Sequence, residues 1–382
     1  MNAMALPLLI TLACVLLELW YSRARRGVAI PWRDVILNLN SGHILMWFFR
    51  GVEVAVFAWI LTHFSMHWLD RWHPAAVWLF AILAWDLGFY WMHRLHHSFA
   101  VLWAVHVVHH EGEHFNLSLG IRNSWYSSLT TLPFTSIPLA LMGVPLEVFV
   151  AVSTLHYTVQ FYNHNGIVGR SGWLDRFLVT PANHRVHHGH NREYRDRNFG
   201  GTFLIWDKLF GTLQRELPGV PIEYGIATPT QSTNPFWANT VPVLRYAGLR
   251  LPRLSGGPRL SVPDSAIATG GLLLFCIVTY YVHRNGTWPG IGQPVFFALI
   301  FAATLALGGM SDGRRWGVVN WLAIAVLSSS VMPLCFGLRD PLGLSLLAAF
   351  VVHSVVAAAV TLRVREKSQK NAQEKAPPYV QT

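Results

Sequence analysis

Long apolar runs joined by short basic segments constrain this chain more than any other feature of its sequence. A helix of about 20 apolar residues crosses a bilayer. Runs of this kind cover residues 5–20, 44–63, 75–92, 266–282, 294–307, 316–332 and 342–362, and the stretch 125–161 is long enough for a kinked helical hairpin. We therefore expect an all-α integral membrane protein with about nine transmembrane helices.

The composition agrees with this expectation. Hydrophobic residues make up 52% of the chain and charged residues only 13%, and the mean hydropathy is +0.35. A net charge of +10 is also found in proteins that bind nucleic acid, but here the arginines stand beside the apolar runs, so membrane topology explains them and we expect no nucleic acid. Cys14, Cys276 and Cys335 each lie alone in an apolar run, which excludes a disulfide framework and a thiolate metal site.

The basic residues predict the orientation in the membrane. Arg23, Arg25 and Arg26 follow the first apolar run, so that run is expected to be a retained anchor whose C-terminal end is cytoplasmic. Counting spans from there puts the end of the third helix and the return of the hairpin on the cytoplasmic face. A multi-pass protein of a bacterial inner membrane or an endoplasmic-reticulum-type membrane is expected.

The predicted spans and polar stretches divide the chain into five parts. Residues 1–74 are expected to form N-terminal anchor helices, 75–215 a catalytic domain and 216–265 a cytoplasmic linker or cap. Residues 266–365 are expected to form a four-span membrane region. The polar segment 366–382 is rich in Lys and Gln and is predicted to be a disordered tail.

Three histidine clusters carry the chemistry. They read HRLHH at 93–97, HVVHH at 106–110 and HRVHH at 184–188. Positions i, i+3 and i+4 share one helix face, so the rings of each cluster can converge. Imidazole ligands suit Zn, Fe, Cu or Ni, and a set of eight or nine is too large for one ion that takes about four to six ligands. A histidine-rich site for two metal ions at the cytoplasmic cap is therefore predicted.

The residues around these clusters resemble the fatty acid hydroxylase/sterol desaturase superfamily. The resemblance rests on WDLGFYWMHRLHH at 85–97, HVVHH at 106–110, NH at 163–164, TPANHRVHH at 180–188 and NFGGTFLIWDKLFGT at 198–212. It covers roughly residues 77–212. The HGHN sequence at 188–191 and the additional C-terminal spans are similar to the alkylglycerol monooxygenase branch, whose members cleave ether lipids.

The resemblance implies a non-haem di-iron oxygenase that uses O₂ to hydroxylate an unactivated C–H bond of a lipid from the bilayer, with Zn as a substitute metal. No catalytic residue beyond the metal centre is expected. The electron source is expected to be tetrahydrobiopterin or an external donor such as a separate reductase or cytochrome, because the sequence has no CxxC, cytochrome segment or GxGxxG loop. The implied metal ligands are His93, His97, His106, His109, His110, His164, His184, His187 and His188.

Further polar residues next to the clusters are candidates for orienting the ligands. His96 lies about 100° around the helix from His97, so it either replaces a ligand or contacts the ligands from outside. The other candidates in this supporting role are Asp86, Asn163, Asn183, His190 and Asn191. Helix capping and solvation are the alternative explanations for these side chains.

Other functions fit parts of the pattern. A lipid or sterol desaturase or a carotenoid-type hydroxylase belongs to the same superfamily, and product analysis distinguishes them. A zinc hydrolase also uses histidine ligands, but its sites typically have three ligands and an open position. A metal transporter would place ligands within its spans, whereas here the clusters lie at one face.

Overall fold

The computed structural model describes residues 5–41, 43–251 and 259–374, and in these residues the fold is entirely helical. One isolated antiparallel bridge joins Leu178 and Phe203. A π-helical segment covers Leu132–Ser136, and short 3₁₀ helices cover Leu119–Ile121 and Gly172–Arg176. The α-helices are α1 (Ala5–Arg26), α2 (Trp32–Ser41), α3 (His43–Phe64), α4 (Pro74–Ser98), α5 (Ala100–His110), α6 (Ser127–Thr131), α7 (Ile137–Met142), α8 (Leu146–Asn163), α9 (Pro181–His187), α10 (Ile205–Leu209), α11 (Pro235–Tyr246), α12 (Asp264–His283), α13 (Gly292–Ser311), α14 (Arg315–Phe336) and α15 (Pro341–Glu374).

Within the described residues, six helices are long and apolar enough to cross a membrane. They are α1, α4, α12, α13, α14 and the part of α15 up to Val364. The chain is therefore a multi-pass, all-α membrane protein, as predicted. The count of nine spans is not confirmed, because α3 and the two arms of the predicted hairpin are not among the six.

Polar groups and a helix irregularity distinguish these remaining segments. In α3, partly buried Arg50 and fully buried Glu53 form an ion pair with a separation of 2.5 Å. The first arm of the hairpin is divided into α6, the π-helical segment and α7, where Pro133 and Pro138 interrupt the regular backbone hydrogen bonds. Thr131 and Ser136 from this arm donate hydrogen bonds to Glu53. The ion pair thus fixes the irregular arm against α3.

Gly143 forms the turn between the two arms. Its φ of +90° places it in the left-handed region, and its N–H bonds to the last turn of α7. This is the usual way in which a glycine ends a helix. The turn sends α8 back toward the end of α4, where the histidines lie.

The apolar interior consists of two clusters. One is formed by α12, α13, α14 and α15 together with α1 and α2, and includes Val15, Ile36, Phe275 and Trp321. The other is formed by α3, α4, α7 and α8 around Trp85 and Phe149. The first two N-terminal helices thus pack on the C-terminal four-helix region. Burial of these side chains stabilises the arrangement.

The last helix extends beyond the predicted end of the C-terminal membrane region at residue 365. The helix α15 continues to Glu374 and so includes the first residues of the segment predicted to be a disordered tail. The remainder of that segment, 375–382, lies outside the described residues, as do residues 252–258 of the predicted linker.

Candidate metal centre

The first two histidine clusters meet because α4 and α5 form a tight helical hairpin. Only Phe99 separates Ser98 from Ala100, and the two helices pack against each other. His93 near the end of α4 therefore faces His106 on α5, with their Nε2 atoms 3.0 Å apart. The third cluster arrives on α9, and His164 is the residue that ends α8.

Nine histidines come together in two groups. Within each group the ligating nitrogen atoms all lie within 4.8 Å of one another. The five-histidine group contains His93, His97, His106, His110 and His187. The four-histidine group contains His109, His164, His184 and His188. All nine residues implied by the resemblance are in these groups, and His96 is in neither.

The two groups are adjacent. The rings of His110 and His188, one from each group, stack with their centroids 4.5 Å apart. Consecutive residues supply both groups, since His109 and His110 point to different groups, as do His187 and His188. Two of the three HH pairs in the clusters therefore divide between two neighbouring sites.

Hydrogen bonds to main-chain carbonyls set the tautomer of four of the rings. In each of these rings Nδ1 donates to a carbonyl oxygen. The pairs are His93 with Phe199 at 3.0 Å, His109 with Arg122 at 2.8 Å, His164 with Gln160 at 2.7 Å and His187 with Arg197 at 2.9 Å. A carbonyl can only accept, so Nδ1 carries the hydrogen and Nε2 of the neutral ring is a bare acceptor.

Nε2 atoms of both groups, the bare ones of His109, His164 and His187 among them, point at one another. In the four-histidine group, Nε2 of His164 lies 3.1 Å from Nε2 of His109, His184 and His188. In the five-histidine group, Nε2 of His110 lies 3.1 Å from Nε2 of His106 and 3.0 Å from Nε2 of His187. Facing lone pairs repel unless a cation lies between them. Ligands at about 2.1 Å from a metal are about 3.0 to 3.4 Å from each other, so the donor set fits a metal ion in each group.

One unpartnered ring nitrogen agrees with this fit. Nε2 of His97 is buried and has no hydrogen-bond partner among the described residues. A buried polar atom without a partner costs free energy. In His97 this atom belongs to the five-histidine group, where a metal ion would satisfy it.

Burial keeps the rings neutral. Desolvation, followed by repulsion from neighbouring imidazoles, lowers the pKa well below its ordinary range for His106, His110, His164, His184, His187 and His188. Desolvation lowers the pKa of His109 to about 4. Neutral imidazole is the form that binds metals, so both groups are ready to bind at neutral pH.

A loop clamped by two carboxylates supplies one of the orienting carbonyls. Asp86 of α4 accepts hydrogen bonds from the N–H groups of Thr202 at 2.7 Å and Phe203 at 3.0 Å, and from Nε1 of Trp206 at 2.9 Å. Asp207 accepts from the N–H of Phe199 and of Gly200, both at 2.8 Å. The carbonyl of Phe199 is thereby held against His93.

Within the described residues, the predicted supporting residues do not hydrogen-bond directly to the rings of the two groups, although Asp86 acts on His93 through the clamped loop. His96 bonds through Nδ1 to the carbonyl of Met92 at 2.7 Å and through Nε2 to the hydroxyl of Thr130 at 3.0 Å. Asp86 and Asn163 contact the loop at 201–206. The side chain of Asn183 donates to the carbonyl of Leu178 and to the hydroxyl of Thr180. His190 bonds to the carbonyl of Glu223. Asn191 donates to the carboxylate of Glu193 and to the carbonyl of Pro221.

A carboxylate that the sequence did not reveal contacts one of the nine rings. Oδ1 of Asp196 lies 3.1 Å from Nδ1 of His97, and this hydrogen bond lowers the pKa of Asp196. Asp196 has a φ of +58°, a left-handed conformation that aspartate tolerates better than most residues. Its position in an arginine-rich loop, eight residues after His188, gave no spacing signal.

Arg122 holds a second orienting carbonyl in place. It is buried, and its Nη2 donates to Glu111 at 2.7 Å while its Nε donates to the carbonyl of Val108 at 2.7 Å. These bonds fix the Arg122 carbonyl that accepts from His109.

Residues 78–212 match the family model described as fatty acid hydroxylase. This range contains all nine histidines of the two groups and both clamping carboxylates. Over these residues the chain is similar to fatty acid hydroxylases. The superfamily resemblance is thus confirmed.

Named relatives agree with the family. The chain is 35% identical over 236 residues to alkylglycerol monooxygenase of Homo sapiens, which covers 60% of this chain and 51% of the relative. Identity to alkylglycerol monooxygenase of Danio rerio is 37% over 207 residues, or 53% of this chain and 45% of the relative. Identity to the ornithine lipid hydroxylase OlsE of Rhizobium tropici is 32% over 153 residues, or 40% of this chain and 46% of the relative.

The chain spans about half the length of the curated relatives that it matches. No solved structure is significantly similar to it.

Proposed function

We propose that this chain is a membrane-bound, non-haem di-iron oxygenase that uses O₂ to hydroxylate an unactivated C–H bond of a bilayer lipid. The observation that carries the proposal is the pair of histidine groups with facing Nε2 atoms inside a fatty acid hydroxylase domain. The proposed ligands are the nine histidines of the two groups. Iron is the proposed physiological metal, with Zn as an inactive substitute.

An ether lipid such as an alkylglycerol is the proposed substrate. The alkylglycerol monooxygenase relatives support this choice, and so do the additional C-terminal spans. Hydroxylation of the carbon next to an ether oxygen gives a hemiacetal, which breaks down to an aldehyde and an alcohol. The proposed electron source is tetrahydrobiopterin or an external reductase or cytochrome.

Two bound iron ions would supply the O₂ activation that no side chain can perform. The protein's contribution is to hold the rings and to exclude water. The carbonyls of Phe199, Arg122, Gln160 and Arg197 keep Nδ1 protonated, so that Nε2 is always the metal-facing atom. Burial of the rings keeps bulk water from a reactive centre.

The remaining assignments are proposals of the same kind. The site is proposed to face the cytoplasm in a bacterial inner membrane or an endoplasmic-reticulum-type membrane, because the arginines after the first span favour that side. Residues 75–215 are proposed as the catalytic domain and 266–365 as a C-terminal membrane region.

The test is turnover by the purified full-length protein loaded with iron, supplied with O₂, tetrahydrobiopterin and an alkylglycerol. We expect release of a fatty aldehyde, and no product from zinc-loaded protein or without O₂. Turnover of fatty acids or sterols alone would reject the ether-lipid assignment, and an alkene product would indicate a desaturase. Product formation without O₂ would reject the oxygenase and favour a zinc hydrolase.

Metal content provides a check that does not depend on turnover. We expect His109→Ala and His187→Ala proteins to lose bound metal, because each removes a ligand from one group. His96→Ala is the matched control, since His96 belongs to neither group and should leave the metal content unchanged. Full metal content in both ligand variants would reject the site.

A further inference from the structure

A cavity of about 660 Å³ adjoins both histidine groups. Its inner end is formed by His97, His110, His187 and His188. The volume lies within the range of about 300 to 1,000 Å³ that is usual for small-molecule sites. The cavity therefore gives a ligand direct access to the candidate metal centre.

The walls of the cavity are mainly apolar. On one side α5 contributes Ala104 and Val107, which are buried, together with Trp103. On the other side, Pro242 and Tyr246 of α11 face them. Of the residues that the structure describes, the charged side chains lining it are Arg195, Asp196 and Arg245. An apolar chain fits these walls, and a charged group fits only near the arginines.

The helix α11 lies at the end of a membrane span. Its capping residue Asn234 donates from Nδ2 to the carbonyl of Leu305 in α13 at 3.1 Å, and accepts from the N–H of Phe236 at 2.9 Å. One face of α11 is buried through Ala238 and Val241, whereas Phe236, Val243 and Tyr246 are exposed. Such an amphipathic helix at the end of a span is typical of a segment that lies in the membrane interface.

The mouth of the cavity combines exposed apolar groups with a fixed cation. Phe99 is 55% exposed and Tyr246 is 54% exposed. Between these walls, Nη1 of Arg245 donates to the carbonyl of Thr228 at 2.8 Å. This hydrogen bond ties α11 to the segment at 225–228, and it leaves further N–H groups of the guanidinium for an anion.

From these features we infer that the cavity binds the alkyl chain of a lipid that enters between α5 and α11, and that Arg245 and Arg195 bind the phosphate of its head group. This rests on the proposed function and specifies its substrate as an amphiphile with a phosphate. The chain carbon to be oxidised would lie beside His97, His110 and His187, and the head group would stay at the membrane surface.

The experiment measures binding to the full-length zinc-loaded protein in detergent, so that no turnover is needed. The probes are hexadecyl phosphate, hexadecanol and inorganic phosphate. We expect hexadecyl phosphate to bind about tenfold more tightly than hexadecanol, since a charge-assisted hydrogen bond to the phosphate adds to the burial of the chain. Equal affinities for the two amphiphiles would overturn the head-group assignment, and comparably tight binding of inorganic phosphate would overturn the lipid assignment.

Two matched pairs of variants locate the binding site. Arg245→Gln should weaken the binding of hexadecyl phosphate about tenfold and leave the binding of hexadecanol unchanged. Arg71→Gln, at an exposed arginine remote from the cavity, should change neither affinity. Ala227→Phe, at an exposed cavity-lining residue, should weaken the binding of hexadecyl phosphate more than the binding of octyl phosphate. Ala247→Phe, just beyond the lining residues, should affect the two equally.

These outcomes separate the inference from the proposed function. If Ala227→Phe retains its metal and binds both chain lengths like the wild type, the cavity is not the chain site, even if the enzyme hydroxylates lipids. If the binding pattern is as expected but the iron-loaded protein oxidises no lipid, the proposed function fails while the binding site remains.

Discussion

Individual imidazole rings show how a spacing pattern becomes a two-site arrangement. In each HxxHH cluster the first and last histidines lie four residues apart and the middle one lies next to the last. The adjacent pair points about 100° apart on a helix, so its members can serve different groups. His109 and His110 do so on α5, and His187 and His188 do so at the end of α9. His96 and His97 do not, because His96 turns to Met92 and Thr130.

Asp196 provides a prediction at this scale. Asp196→Gly removes the acceptor for His97 Nδ1 while tolerating the positive φ, so the metal affinity should fall about 10- to 100-fold. Asp196→Asn keeps an acceptor oxygen and should retain most of the affinity. Competition with a chelator measures both values. The control is Asp70→Gly, which breaks a similar contact at the exposed His67; an equal loss of affinity there would contradict the role of Asp196.

The lowered pKa values predict how stability depends on pH. An unfolded histidine titrates near 6.5, whereas the pKa of buried His109 is lowered to about 4. As the pH falls below about 6.5, the unfolded chain takes up protons that the folded protein excludes. The metal-free protein should therefore lose stability as the pH falls from about 6.5 toward 4, and be most stable above that range.

The measurement is the unfolding midpoint of metal-free and metal-loaded protein between about pH 7 and pH 5. The metal-loaded form should resist acid further, until protons displace the metal. A His109→Gln/His188→Gln double variant removes two of the titrating rings and should show a shallower dependence in its metal-free form. An identical slope in that variant would mean that other groups cause the acid sensitivity.

The residues that sequence could identify are those that repeat a pattern. Nine histidines follow from motif spacing and family resemblance, and they do converge. The groups that orient them are mostly main-chain carbonyls, such as those of Phe199 and Arg197, which any residue type can supply. Because every residue has a main-chain carbonyl, the side-chain sequence does not indicate which carbonyls contact the rings. These contacts could therefore not be found without the fold.

At the scale of elements, the apolar runs predicted the C-terminal helices more closely than they predicted the hairpin. The four C-terminal runs correspond to α12, α13, α14 and α15. The hairpin was expected as two kinked arms, but the first arm contains a π-helical segment held by Glu53, from a different helix. A contact between distant parts of the chain decides that geometry, so local sequence does not reveal it.

The loop at 199–206 provides a prediction at this scale. A Cβ added to Gly201 would lie 2.2 Å from Cε1 of His156 and 2.9 Å from Oδ1 of Asp86. Gly201→Ala must therefore displace the loop, at a cost of about 1 to 3 kcal/mol, and should also weaken metal binding because the Phe199 carbonyl moves away from His93. Gly169→Ala is the control, since nothing lies within 4 Å of the added atom. Thermal unfolding and metal content measure the effects; wild-type values for Gly201→Ala would show that the loop does not depend on close packing.

At the scale of the molecule, the N-terminal helices connect the histidine domain to the C-terminal membrane region. Glu18 of α1 accepts hydrogen bonds from the N–H groups of Leu117 at 2.5 Å and Gly166 at 2.6 Å, next to the histidine sites. Arg33 of α2 donates to Asp264 at 2.8 Å, at the start of α12. The two regions therefore form one packed unit, although the sequence suggested separate segments.

Contacts at the ends of the spans predict which loops share a side of the membrane. The N–H of Thr233 donates to Asp312, just after α13, at 2.7 Å, so the end of α13 lies on the side of the histidine groups. At the other end of α12, Tyr280 donates to Asp340 between α14 and α15. Residues near 169 and near 339 should therefore lie on opposite faces of the membrane, with the first in the cytoplasm.

Labelling with a membrane-impermeant maleimide tests this arrangement. In a chain with Cys14, Cys276 and Cys335 changed to alanine, Gly169→Cys should react only in inverted inner-membrane vesicles and Arg339→Cys only in intact spheroplasts. The reversed result would put the histidine groups on the outer face, against the arginines that follow the first span. Reaction of both cysteines from one side would mean that the C-terminal helices do not cross the bilayer as their length and apolar character indicate.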